Sequence, residues 1–307
     1  MLIKKERFHF AQEEEGQLMV DVTDRVNNRP IDGASVSISY AGDPQDTLEQ
    51  LTTDSNGMTE EIDLAAPPRS YSEYPLSDVQ PYSEYNLIIT APGYEPTTIS
   101  GSEIFSGELS VQPVRLNPVL PNASASVINI PANTLWGVFP PKIPEDEIKP
   151  VRSSGEIVLS RVVIPEYIVV HDGVPSDSSA TDYYVRYADY IKNVASSEIY
   201  STWPEATLRA NITAIMSFTL NRVYTEWYRN KGYDFTITTS TAYDHKWIYG
   251  RNIFDSISRI VDEIFANYIS RPNVKQPILT QYCDGKRVSC PNAMSQWGSK
   301  ALGDDGY

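Results

Sequence analysis

Residues 191–223 read IKNVASSEIYSTWPEATLRANITAIMSFTLNRV, and this stretch decides the character of the second half of the chain. Trp203-Pro204 marks a helix start, because proline suits the first turn, where its missing N–H has no intrahelical partner to lose. Glu205 then favours the positive end of that helix. Leu208, Ile212, Ile215, Met216, Thr219, Val223 and Trp227 follow at helical spacing, and Gly232 stops the run. A shorter helix is read just upstream in "RYADYIKNVASSEI". A third is read from about Asn252 to Ile269, with Ile253, Phe254, Ile257, Val261, Ile264 and Phe265 inward. The β-rich run "EIVLSRVVIPEYIVVHDG" precedes these helices, so residues 156–307 are read as an α+β domain.

Residues 17–118 carry the other periodicity. "GQLMVDVTD" alternates apolar and polar residues as a half-buried strand does. "NNRPIDGASVSISYAG" gives a turn and a second such strand, and Asn56-Gly57 in "LTTDSNGMTEEIDL" is a hairpin signal. "EYNLIITAPGYEPTTISG" and "GELSVQPVRLNPV" complete the set. Short strands at regular spacing indicate an all-β sandwich. The pair "TTDSNGMTEEIDL" and "APGYEP" resembles the carboxypeptidase-regulatory, or transthyretin-like, module, a resemblance that implies no catalysis. In "APGYEP", Pro92 and Gly93 supply the turn and Tyr94 anchors it. Residues 1–16 form a pre-segment. Residues 119–155 read as a linker, since the string from Pro118 to Gly155 holds seven prolines. Its segments "VINI" and "LWGVF" are too apolar for a free tether and are expected to lie on one of the domains.

The net charge of −15 is unevenly placed. Residues 1–120 hold 7 basic and 20 acidic residues, whereas residues 151–307 hold 16 and 17. No basic stripe is present to displace counterions from phosphate, which argues against nucleic acid as a partner. A near-neutral second half suits a polymer of sparse charge. The opening "MLIKKERFHFAQEEEGQ" is basic at first but has no apolar core, so no export signal is read, and no run is long enough to insert in a membrane. Cys283 and Cys290, separated by six residues around Asp284-Gly285, leave a disulfide, two free thiols and a metal pair all open. Two cysteines alone do not make a zinc site.

Three blocks follow one another in the second half: "SSEIYSTWPEATLRA", "TSTAYDHKWIYG" and "CPNAMSQWGSKALG". Together, over residues 187–298, they resemble the catalytic domain of the stage II sporulation protein D (SpoIID) family of peptidoglycan lytic transglycosylases. With the N-terminal half included, the chain resembles the clostridial spore cortex-lytic (SleC-type) family. That family continues into a peptidoglycan-binding repeat domain, whereas the sequence here closes at "GDDGY". The resemblance implies that Glu198 is the catalytic acid/base and that Tyr200, Trp203, Asp244, His245, Tyr249, Ser295, Gln296 and Trp297 line the substrate groove. Arg222 and Tyr224 are weaker candidates. The middle block keeps a histidine but lacks the cysteine beside it that a metal site would use, so neither metal nor cofactor is expected.

The chemistry fits one carboxyl group. A buried carboxyl can hold its proton near neutral pH and deliver it to a leaving oxygen. Paired-carboxylate hydrolases need a second acid to handle water. A lytic transglycosylase does not, because the muramic 6-hydroxyl closes a 1,6-anhydro ring. On local pattern alone Glu198 reads as the end of a helix on a solvated face, and it is the resemblance that gives it the catalytic role. Glu205 is the rival acid, but its place in the first helical turn already has a structural explanation.

The resemblance further implies a zymogen. The β-sandwich would act as an inhibitory or chaperoning pro-domain, cut away within residues 119–155 by a subtilisin-like germination protease. The expected substrate is cortex peptidoglycan, and the expected location is the spore, after synthesis in the mother-cell cytoplasm. The cysteines weakly favour that reducing origin, since it does not promote disulfides. A non-catalytic wall-binding or structural spore protein of the same fold is the alternative. A secreted adhesin is disfavoured by the lack of a leader or anchor.

Overall fold

The computed structural model describes residues 14–75, 77, 79–119, 125–149 and 158–307. The chain begins with strands β1 (Glu14–Asp24), β2 (Ser35–Tyr40), β3 (Thr47–Thr52), β4 (Ile62–Ala66), β5 (Ser83–Thr90), β6 (Thr97–Ile104), β7 (Leu109–Leu116) and β8 (Ser126–Asn129). Then come β9 (Tyr167–His171), β10 (Asp182–Arg186), α1 (Tyr187–Glu198), α2 (Glu205–Tyr224) and β11 (Ile237–Thr238). The last elements are β12 (Ile253–Phe254), α3 (Asp255–Ile264), β13 (Tyr282–Cys283), β14 (Met294–Ser295) and α4 (Gln296–Asp304). They fall into two compact units. One holds the residues up to Ala132 together with Tyr249–Ser256, and the other holds Asn133–Ile248 and Ile257–Tyr307.

The first unit contains a four-stranded sheet, β12-β7-β1-β4, and a five-stranded sheet, β3-β2-β5-β6-β8. The alternation read in "GQLMVDVTD" is the burial alternation of β1, where Leu18, Val20 and Val22 are wholly buried. The Tyr85 hydroxyl in one sheet donates to the Ala65 carbonyl in the other at 2.8 Å. β5 and β6 pair antiparallel across the Pro92-Gly93 turn, with Gly93 at φ +84°, and the Tyr94 hydroxyl donates to Asp24 Oδ2 at 2.9 Å.

The Asn56-Gly57 turn forms, but not as a hairpin. Asp54 Oδ1 accepts from the Asn56 and Met58 amides, and Gly57 takes φ +78°. The flanking strands then part: β3 pairs with β2 and β4 pairs with β1, in different sheets. The aspartate side chain satisfies the turn locally, so the local sequence fixes the bend without fixing the partner. "VINI" supplies β8, parallel to β6.

In the second unit α2 forms its centre, and it is buried nearly all round. Its polar side chains are tolerated there because they turn back onto the preceding carbonyls. Asn211, Ser217 and Thr219 donate to Thr207 O, Thr213 O and Ile215 O. The helix ends at Tyr224 rather than at Gly232. Glu226 adopts φ +45°, and Gly232 instead closes a short 3-10 turn over Arg229–Lys231. The third helix is shorter than its periodicity suggests. Ile253 and Phe254 leave it to join the first unit's sheet, with Asn252 just before them, and Phe265 lies past its end, exposed. α4 comes so close to α2 that a Cβ on Gly303 would lie 2.1 Å from Thr207 Oγ1.

Residues 1–13 lie outside the described residues, as do 120–124 and 150–157 of the region expected to be cut. The described remainder of that region is not a free linker. Residues 133–149 run along the second unit as a strap. Ile143 N donates to Ala242 O, Lys149 N to Gln276 Oε1, and Leu279 N to Glu147 O. No helix among the described residues is long and apolar enough to cross a membrane.

Candidate active site

Glu198 is the last residue of α1, where helix carbonyls have no intrahelical donors. Other chain segments supply those donors and so fix the carboxyl in place. Thr134 N donates to Ser197 O at 2.9 Å, and Asn133 Nδ2 donates to both Ser196 O and Ile199 O. Gln296 Nε2 donates to Glu198 O at 2.9 Å. The parallel pairing of β13 with β14 sets Tyr282 opposite Met294, which brings Tyr282 and Gln296 to the same residue.

Glu198 is 3 % exposed. Oε1 accepts from the Lys246 amide at 2.5 Å, and Oε2 accepts from the Tyr282 hydroxyl. Asn193 holds the loop that carries Lys246, with its side-chain amide bonded both ways to the backbone of Ile248 at 2.8 and 2.9 Å. Burial raises the Glu198 pKa above the ordinary carboxylate value. The Lys142 charge, the Tyr282 hydroxyl and the Lys246 amide work against that rise.

Glu198 opens on a cavity of about 310 Å³. One wall is the strap, from Thr134 and Gly137 through Lys142; the other is the loop around Asp284 and Arg287. That loop is closed by a Cys283–Cys290 disulfide, with Cα atoms 5.7 Å apart. The pairing resolves the alternatives left open for the two thiols and removes the cysteine argument for a reducing origin. Arg287 links the two walls, donating to the carbonyls of Thr134, Trp136 and Gly137.

Two other acids line the cavity, and both are committed elsewhere. The Asp244 carboxylate accepts from Arg222 Nε at 2.7 Å, the Tyr228 hydroxyl at 2.6 Å, and both the amide and hydroxyl of Thr238. Asp284 accepts from the amides of Lys286, Arg287 and Val288 and from Arg287 Nε. Those bonds hold its pKa down although burial alone would raise it. Glu198 is therefore the lining acid suited to carry a transferable proton.

The remaining residues singled out from the sequence have other places. Tyr200, Trp203 and Trp297 form an edge-to-face cluster, all buried, that packs behind the site and is absent from the cavity lining. His245 is wholly buried and stacked on Tyr282. Burial, with the nearby charges of Lys142 and Arg222, pushes its pKa well below the usual histidine value and keeps it neutral. Ser295 caps α4 by accepting from the Gly298 amide. Tyr249 belongs to the first unit, where its hydroxyl accepts from Arg25 at 2.7 Å. Arg222 is buried between Asp244 and Glu145. Glu205 is exposed and paired with Arg209.

Two contributors were not read from the sequence. Tyr282 donates to the carboxyl from 84 positions away. Lys142 turns its ammonium inward against the Asp244 carbonyl, over the rings of Phe218 and Tyr282 at 4.7 and 5.1 Å. Burial lowers the Lys142 pKa, and the charges of Glu198 and Asp244 resist that fall. A lysine inside an apolar-aromatic strap segment was the available signal.

A larger groove of about 1530 Å³ lies elsewhere on this unit and is not lined by Glu198. Its Trp227 ring is already covered by Lys149 and Lys231, at 4.0 and 3.3 Å from the centroid. Among the described residues no three His, Cys, Asp or Glu side chains are grouped so as to hold a metal ion.

No family model matches the chain, and no curated protein matches it either. Solved structures do match in part. The Bacillus anthracis TIE protein gives a TM-score of 0.24 at 17 % identity over 34 % of this chain and 17 % of that one. The Klebsiella pneumoniae 5-hydroxyisourate hydrolase gives 0.23 at 18 % identity over 34 % of this chain and 92 % of that one. The minor pilin of Streptococcus agalactiae gives 0.24 at 17 % identity over 36 % of this chain and 47 % of that one. The chain thus spans well under two thirds of the first and third of these proteins, and likenesses at this level carry no functional argument.

Proposed function

We propose that the chain is a peptidoglycan lytic transglycosylase acting on spore cortex glycan during germination, with Glu198 as its acid/base. The observation that carries this reading is the buried Glu198 carboxyl, raised in pKa, at the wall of a cavity whose other acids are already bonded. In the proposed step the Glu198 proton passes to the glycosidic oxygen as the bond from that oxygen to muramic C1 breaks. The muramic 6-hydroxyl oxygen bonds to C1 and its proton passes to the Glu198 carboxylate. The proton count on Glu198 is restored, no water is consumed, and the product carries a 1,6-anhydro ring. Tyr282 and the Lys246 amide would hold the carboxylate as it forms.

The zymogen reading extends to the strap. Thr134–Lys142 occupies one wall of the cavity and sets the Lys142 amine near Glu198, where its charge works against the rise in the Glu198 pKa. Subtilisin-like cleavage within 119–155 would free this wall, alongside the inhibitory role inferred for the acidic β-sandwich. The same crowding also favours the second reading, a wall-binding spore protein without catalysis. Cortex sacculi incubated with intact chain, protease-clipped chain and clipped Glu198→Gln chain separate the two. Anhydromuramic ends from the clipped wild type alone support the enzyme, and binding without new ends in all three supports the alternative. Dormant-spore extracts should hold the intact form, and germinated spores a shorter one.

A further inference from the structure

We infer that the first unit is a receptor for the extended peptide Tyr249–Ser256, so that cutting the chain between residues 132 and 249 does not release that unit. The inference concerns association and is independent of any chemistry at Glu198. Residues 249–256 belong to the first unit although more than a hundred residues of the second unit precede them in the chain. They enter it by strand addition: Ile253 and Phe254 pair antiparallel with Val111 and Ser110 at the free edge of β7.

Side chains make this edge specific. Arg251 is wholly buried and pairs with Glu103, itself 1 % exposed, at 2.5 Å. The Asn252 amide acts as an extra peptide group: Nδ2 donates to Glu103 O at 2.8 Å and Ser110 Oγ at 2.6 Å, and Oδ1 accepts from Glu103 N at 3.3 Å. It thereby joins β6 of one sheet to β7 of the other. Gln112 Nε2 donates to Gly250 O at 2.8 Å, and Ser256 Oγ donates to Glu108. The Phe254 ring meets Phe105 edge-on with centroids 5.2 Å apart. Gly250 sits at φ +75°, where a Cβ would lie 2.7 Å from Ile128 Cγ2, so the seat accepts glycine alone. A peptide that fills a buried charge site, an amide site and an aromatic site at once does not need chain continuity to stay seated.

The test inserts a site for a sequence-specific protease between Ala132 and Asn133 of the full chain, so that the strap stays with the second unit. After complete cutting, the fragments are run on size exclusion under native conditions. Co-elution of the wild-type fragments is expected. Arg251→Ala and Gly250→Val, each checked before cutting for an unchanged circular dichroism spectrum, should let the fragments separate at least tenfold faster on dilution. Arg287→Ala, which loosens only the strap, should not. Because Arg251→Ala also breaks a buried ion pair, Gly250→Val gives a second variant that keeps it. Separation of the wild-type fragments would overturn the inference. So would retention by both peptide variants equal to wild type, or release by Arg287→Ala alone.

Discussion

The Tyr282 hydroxyl donates to Oε2 of Glu198, a bond that favours the ionised carboxylate and the protonated phenol together. Tyr282 is pushed well above its usual pKa by burial and then by the Glu198 charge, so it stays a donor throughout the working pH range. Its hydrogen bond in turn lowers the Glu198 pKa against the stronger effect of burial. Tyr282→Phe should therefore raise the Glu198 pKa further. If Glu198 acts as a proton donor, the limb where cleavage falls with rising pH should move to higher pH. The rate at the optimum should fall about tenfold or more through lost orientation. An unmoved pH limb would show that Tyr282 does not act on the carboxyl.

Lys142 offers a second handle on the same proton. Its charge lowers the Glu198 pKa, so Lys142→Met should raise it. Carboxyl ¹³C chemical shifts of Glu198, followed across pH in the intact chain, would measure the change directly. A Glu198 titration at lower pH in the variant would contradict the arrangement.

Glu198→Gln should reduce cleavage by about 10²–10⁴-fold, and Glu205→Gln should be close to neutral. The same variant has a stability signature. The folded chain holds the Glu198 proton more tightly than the unfolded chain does. Stability from this group is therefore present at acidic pH and is lost as pH rises above 4.5 and through the raised native value. Glu198→Gln should melt above wild type at neutral pH, and the gap should close toward pH 4. Parallel melting curves across that range would show that the carboxyl is not perturbed.

Arg222 pairs with Glu145 and Asp244 at once, so Arg222→Met should cost about 3–5 kcal/mol by leaving the buried Asp244 carboxylate without its guanidinium and Glu145 with Lys149 alone. Burial works to raise the Glu145 pKa, but Arg222 and Lys149 outweigh it and hold it at about 2. Its folded value lies below its unfolded one, so its contribution is full above 4.5 and is lost as pH falls through about 2. Chemical denaturation of wild type and variant at pH 7 and pH 3 should show the difference shrinking at the lower pH.

Reducing the Cys283–Cys290 bond should lower stability by about 2–3 kcal/mol, as closing a short loop implies. Because Arg287 ties that loop to the strap, amide exchange at Trp136 and Gly137 should quicken with it. Equal melting with and without reductant would indicate that the bond does not form in solution.

The sequence by itself determined those features whose cause lies within a few residues. Alternation over Gly16–Asp24 settled which side chains of β1 face inward, and Trp203-Pro204 with Glu205 settled where α2 begins. The end of α1 at Glu198 was legible because the helical pattern stops before the Trp-Pro turn. Tertiary structure decided whatever depended on distant partners. Ile253 and Phe254 have helical periodicity, yet pairing with Val111 and Ser110, beside the bonds of Asn252 to Glu103 149 positions away, draws them into a strand. The Asn56-Gly57 bend was local, but the strands it joins were assigned to different sheets by their long-range pairing. At the site, burial raised the Glu198 pKa, and the groups that restrain the rise, Lys142 and Tyr282, come from segments 56 and 84 positions away. Desolvation belongs to the assembled surroundings of a group, which no local pattern of residue types encodes.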